Sequence, residues 1–87
     1  MVKHSNNPYS IGRRIRECRE RVKLTQQDVG ILSGVSAPTV SRIETGHVNE
    51  IGYGILVAIA EGLDVSLGYL LCIIDEIRTF SGKPYLY

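Results

Sequence analysis

The stretch LTQQDVGILSGVSAPTVSRIETG, residues 24–46, constrains the fold of this chain more than any other. Counting Gln26 as its first position, a small residue (Gly30) falls at the fifth, glycine (Gly34) at the ninth, and apolar Val40 and Ile43 at the fifteenth and eighteenth. Each placement has a steric reason. A small residue lets two helices approach closely, a glycine can take the positive φ of a tight turn, and the later apolar pair pins a second helix onto the first. Local signals agree. Thr25 is an N-cap, and Asp28 three positions on can bond back to it in a variant capping box, at the positive end of the helix. Val29, Leu32 and Val35 supply apolar contacts, and Gly34 ends the helix. Ser36 then caps the next helix, which starts at Ala37 and tolerates Pro38 in its opening turn, where the missing N–H would be unpaired anyway. That helix runs to Glu44 or Thr45, and Gly46 stops it as a left-handed residue. Two helices and a tight turn are predicted.

Around this stretch the other elements follow by periodicity. Ile11, Ile15, Cys18 and Val22 recur on one helical face, which predicts a first helix over Tyr9–Val22 with that face buried. Its other face carries Arg13, Arg14, Arg16, Glu17, Glu20 and Arg21, expected to be solvated with weak local ion pairs. Residues 47–52 form a loop. A fourth helix follows over Tyr53–Gly62, with Leu56, Val57, Ile59, Ala60 and then Leu63 facing the core, and Asp64 ends it. Ser66 caps a fifth helix, predicted over Leu67–Phe80, whose apolar face is too wide for one neighbour. Leu67, Leu70, Leu71, Ile74 and Ile77 make one stripe, and Tyr69, Ile73 and Phe80 an adjacent one. Leu67, Tyr69, Leu70, Ile73, Ile74, Ile77 and Phe80 are therefore the expected seam of a homodimer. The division is a flexible arm over 1–9, a domain over 10–80, and a tail over 81–87 that is loose or adds a short strand across a dimer.

Eighty-seven residues allow one domain, and 44% hydrophobic with 22% charged residues make it globular. No apolar run approaches the roughly 20 residues of a membrane span, and the N-terminus lacks an apolar signal core. The chain is expected in the cytoplasm, without a membrane partner. Cys18 and Cys72 lack CxxC spacing and read as reduced core residues. With only His4 and His47, no Cys/His metal spacing, no phosphate-binding glycine loop and no carboxylate cluster, neither metal, cofactor nor catalysis is expected. Net charge is +1, yet it is unevenly placed. Residues 1–48 hold eight Lys or Arg against four acids, net +4, and residues 49–87 hold two against five, net −3. One part of the surface thus suits a polyanion.

The segments IGRRIRECRERVKLTQQDVG, GVSAPTVSRIETG and LVAIAEGLDVSLGYLL, in this order, resemble the lambda-repressor-like helix-turn-helix family of Cro, phage repressors and Xre-type regulators. The resemblance covers about residues 11–71. Gly30 stands where alanine is usual and Cys18 where an aliphatic residue is usual, and EIGYG is an unusual entry to the fourth helix. The resemblance implies an all-α, five-helix fold that places its second motif helix in the major groove of DNA while the preceding helix straddles the backbone. Thr25, Gln26 and Gln27 would then lie at phosphate, with Gln26 contacting it through its side chain and the helix amides. Ser36, Ala37, Pro38, Thr39, Ser41 and Arg42 would lie at or near base edges, with Arg42 the one bidentate reader and Thr45 and His47 beside the sugar-phosphate backbone. Arg19 and Glu44 match a structural ion pair of relatives.

The leading expectation is a double-stranded-DNA-binding transcriptional regulator, a repressor, acting on a palindromic operator as a homodimer. Two alternatives stay open: an antitoxin that masks a toxin with its apolar C-terminal part or its YLY tail, and a restriction-modification controller.

Overall fold

The computed structural model describes residues 8–85, so the expected arm up to residue 7, and Leu86 and Tyr87 of the tail, lie outside the described residues. Five helices follow one another among them: α1 (Pro8–Arg21), α2 (Gln26–Ser33), α3 (Ala37–Glu44), α4 (Tyr53–Leu63) and α5 (Leu67–Leu70). The first helix starts at Pro8, one residue ahead of its predicted start at Tyr9 and within the expected arm. The fold is all-α. Its core is built from one face of each helix: Ile11, Ile15 and Cys18 of α1, Val29 of α2, Val40 and Ile43 of α3, Leu56, Ile59, Ala60 and Leu63 of α4, and Leu70 of α5, closed by Val65. α2 packs on both α3 and α4, and α1 lies against α3.

Two glycines set how closely these helices meet. A Cβ at Gly30 would fall 2.5 Å from the Val35 carbonyl oxygen, so the turn between α2 and α3 can fold back tightly only with a bare backbone there. A Cβ at Gly12 would fall 2.1 Å from the Ile43 carbonyl oxygen, which seats α1 directly on the end of α3.

The start and stop signals of the motif are in place. The Thr25 hydroxyl accepts from the Asp28 amide at 3.0 Å and the Asp28 carboxylate accepts from the Thr25 amide at 2.9 Å, completing the capping box. The Ser36 hydroxyl accepts from the Thr39 amide, and Gly34 and Gly46 take φ of 76° and 78°. Helix ends with side chains do the same elsewhere: Lys23, Asp64 and Cys72 have φ of 62°, 53° and 63°.

Cys72 corrects the fifth helix. Its amide bonds to the Tyr69 carbonyl at 3.0 Å and the Ile73 amide to the Gly68 carbonyl at 2.9 Å, a paired C-terminal lock that reverses the chain after one turn instead of letting it run to Phe80. Ile74 then comes to rest over Gly68. The expected seam breaks up accordingly. Leu70 is fully buried in the domain's own core, Leu67, Tyr69 and Ile77 pack partly against that core, and Ile73 and Phe80 stay exposed. The tail folds back on its own chain up to Tyr85, through an antiparallel bridge between Arg78 and Pro84 and a hydrogen bond from the Tyr85 hydroxyl to the Asp64 carbonyl. Two further apolar positions differ from expectation. Val22 is 41% exposed, because α1 ends at Arg21 and the chain turns at the left-handed Lys23, and Leu32, which lies against Gly62 of α4, is half-exposed.

Substituting Gly12→Ala adds helix propensity worth about 1 kcal/mol but drives a methyl into backbone that has no rotamer to change. A net loss of roughly 1–3 kcal/mol is expected in urea unfolding; an unchanged or raised midpoint would mean that α1 and α3 have room to part.

Candidate nucleic-acid interface

One face of α3 is locked inward by Val40, Ile43 and Glu44, which are buried. The opposite face follows from helical spacing: Pro38, Arg42 and Thr45, offset by four and three, are exposed, with Ala37 and Ser41 half-buried beside them. No carboxylate pairs with Arg42 among the described residues. The hydroxyls at both ends of α3 are already engaged. Ser36 and Thr39 share a hydrogen bond of 2.9 Å, and the Thr45 hydroxyl donates to the Ser41 carbonyl at 3.0 Å. Thr25 and Gln27 are exposed at the start of α2. The Thr25 amide holds the Asp28 carboxyl below the ordinary carboxylate range, which keeps a negative charge at the α2 N-terminus.

Glu44 joins the pieces. Its side chain is 1% exposed, and Arg19, at 12%, grips both oxygens: Nε donates to Oε2 at 2.6 Å and Nη2 to Oε1 at 3.0 Å. Gln26 Nε2 also donates to Oε1, at 3.1 Å. The amide orientation is set by chemistry, since the Gln26 carbonyl facing a carboxylate would repel. Arg19 uses Nη1 on the Leu24 carbonyl at 2.8 Å, just ahead of α2. The hydrogen bond to Glu44 raises the affinity of Arg19 for its proton, outweighing desolvation. Sequence reasoning sent the Gln26 side chain to phosphate; in the structure its Nε2 donates to Glu44 instead.

Alongside, a groove of ≈ 450 Å³ between α1 and the end of α3 is lined by Arg13, Arg16, Glu17, Glu20, Glu44 and Thr45. Its exposed charges largely cancel through the Arg13–Glu17 and Arg16–Glu20 pairs at 3.7 and 3.1 Å. Arg14, expected to be solvated, is instead a structural anchor. Its guanidinium donates to the Tyr69 and Ile74 carbonyls and to Asp75, and lies 4.2 Å from the centroid of the Tyr69 ring. No local signal marks it, because every one of these partners lies beyond α4. Both cysteines are free and buried, and burial pushes the Cys18 thiol up to about 11. No group of three potential metal ligands occurs among the described residues, and no helix there is long and apolar enough to cross a membrane.

This geometry, two short helices with a buried ionic latch and an outward stripe on the second, is that of a helix-turn-helix DNA-binding domain. Residues 10–68 match the helix-turn-helix domain family. The chain is 40% identical over 57 residues to the uncharacterized HTH-type transcriptional regulator YqaE of Bacillus subtilis (strain 168), covering 66% of this chain and 48% of that relative, so it spans about half the relative's length. Among solved structures, the restriction-modification controller protein C.AhdI from Aeromonas hydrophila superposes with a TM-score of 0.70 at 26% identity, covering 76% of this chain and 98% of that one. The P22 c2 repressor, solved in complex with synthetic operator 9T, superposes with a TM-score of 0.63 at 33% identity, covering 69% and 89%. The chain belongs to the lambda-repressor-like, Xre-type helix-turn-helix family of DNA-binding proteins.

Removing Arg19 leaves the Glu44 carboxylate buried with only Gln26 as donor. Arg19→Ala is expected to lower stability by about 3–5 kcal/mol, and replacing both partners with apolar residues to recover much of that. A melting midpoint equal to wild type for Arg19→Ala would contradict this role.

Proposed function

We propose that this protein is a sequence-specific, double-stranded-DNA-binding transcriptional regulator that represses from a near-palindromic operator as a homodimer. The observation that carries the reading is the outward stripe of α3, with unpaired Arg42 at its centre, on a helix whose other face is latched to α1 and α2. In this reading α3 enters the major groove. Arg42 reads a guanine edge through two hydrogen bonds, and Ala37 and Pro38, which offer no donors, meet thymine methyl groups. Ser36, Thr39 and Ser41 line the same approach. The first amides of α2, with Thr25, Gln26 and Gln27, meet phosphate on one side, and Thr45 and His47 meet it on the other.

Two such helices must stand about 34 Å apart to enter successive major grooves, which is the task of a dimer. Of the apolar residues expected in the seam, Ile73 and Phe80 beyond α5 stay exposed. The P22 c2 repressor's complex with an operator supports the repressor reading. A restriction-modification controller is the second reading, favoured by the 98% coverage of C.AhdI; a specific site upstream of an endonuclease gene would select it.

The test is a binding assay on DNA upstream of the protein's own gene, with excess nonspecific competitor at stated salt. A complex that survives competition supports the reading, and its absence sinks it. In the same assay Arg42→Ala is expected to cost about 1–3 kcal/mol of discrimination among sites, whereas Gln26→Ala weakens all sites alike.

A further inference from the structure

The leading turn of α3 is hydrocarbon on its outward side. Ala37 ends in a methyl group, and Pro38, exposed beside it, presents ring methylenes and has no backbone N–H to donate. The two hydroxyls that frame this turn are taken up in the cap: Ser36 Oγ accepts from the Thr39 amide at 3.3 Å and lies 2.9 Å from Thr39 Oγ1. Ala37, Pro38 and Ser41 are all small. The backbone of α3 can therefore come close to base edges.

Four residues on, the same face changes character. Arg42 is exposed on it, about 6 Å along the helix from Pro38, and no carboxylate pairs with it among the described residues. That rise matches about two base steps of roughly 3.4 Å each. With the guanidinium on one guanine, the hydrocarbon turn lies over a base pair within about two steps of it.

Chemistry limits what such a surface can read. In the major groove thymine presents an acceptor on C4 and cytosine a donor, and only a polar partner tells them apart. At C5, thymine carries a methyl group and cytosine none, while 5-methylcytosine carries the same methyl as thymine. Ala37 and Pro38 respond to that methyl and are indifferent to the group on C4. We infer that this interface reads the pyrimidine 5-methyl group as such, so that methylation of cytosine at C5 beside the guanine taken by Arg42 strengthens DNA binding. The inference rests on the proposed DNA-binding function and extends it from a base sequence to a chemical mark on DNA. Burying one methyl group is worth up to about fourfold in affinity.

The experiment uses the full chain and a duplex carrying its competition-resistant site. 7-Deazaguanine, which lacks the N7 acceptor, replaces each guanine in turn; the guanine whose change weakens wild type but not Arg42→Ala is the one Arg42 reads. Thymine, uracil, cytosine and 5-methylcytosine are then compared at each pyrimidine within about two base pairs of it. At one position thymine should bind up to about fourfold tighter than uracil, and 5-methylcytosine tighter than cytosine by the same factor. Pro38→Ser, exposed in an opening turn that needs no proline to form, should fold and bind but lose most of both increments; Pro38→Ala should keep part of them. No guanine assigned to Arg42, a methyl increment on thymine but not on cytosine, or increments unchanged in Pro38→Ser overturns the inference and leaves DNA binding standing. Absence of a competition-resistant complex with wild type removes the DNA-binding reading, and the inference with it.

Discussion

The buried carboxylate of Glu44 is the interaction on which the rest of this structure depends. Sealed from water, it would be costly if left unpaired; it instead accepts from Arg19 through both oxygens and from Gln26 through one. Those donors come from α1 and α2, and the acceptor ends α3. The latch therefore sets α3 relative to both helices that flank it, and Arg19 extends it to the chain entering α2 through the Leu24 carbonyl. Apolar burial of Val40 and Ile43 is not directional enough to do this alone. The approach of Gly12 to the Ile43 carbonyl allows α1 to come near enough for Arg19 to reach.

How much of this was legible in the sequence depends on whether a signal is local. The caps at Thr25 and Ser36 and the left-handed turns at Gly34 and Gly46 are carried by residues whose chemistry names the role, and they stand where the spacing puts them. α5 shows the opposite case. Its stop is a left-handed Cys72, a conformation for which cysteine carries no signal, so hydrophobic periodicity ran on to Phe80 while the chain had already reversed. A wide apolar face thus became, in the structure, a core residue, a turn and a short bridge to the tail. Arg14 escaped for a related reason, since its partners Tyr69, Ile74 and Asp75 become neighbours only after that reversal. For the interface, the resemblance supplied positions, but not that Gln26 is held by Glu44.

The proposed interface has few free polar groups for reading sequence. Ser36 is bonded to Thr39, Thr45 to Ser41, and Ala37 and Pro38 have no side-chain donors. Arg42 is the exposed, unpaired exception. In the proposed reading, discrimination rests on one strong hydrogen-bonding side chain, methyl contacts and the deformability of the duplex. Its permanent positive charge lies mainly before α3, in the half of the chain with net +4.

In the proposed function the latch at Glu44 presents one continuous surface, the start of α2 and the outward face and end of α3, to DNA. The most direct measurement is a map of backbone amide chemical-shift changes when labelled protein is titrated with a duplex containing its site. The largest changes should fall on Thr25–Gln27, Ser36–Arg42 and Thr45–His47, with residues 71–85 little affected. Changes concentrated in residues 71–85, with α3 silent, would contradict it.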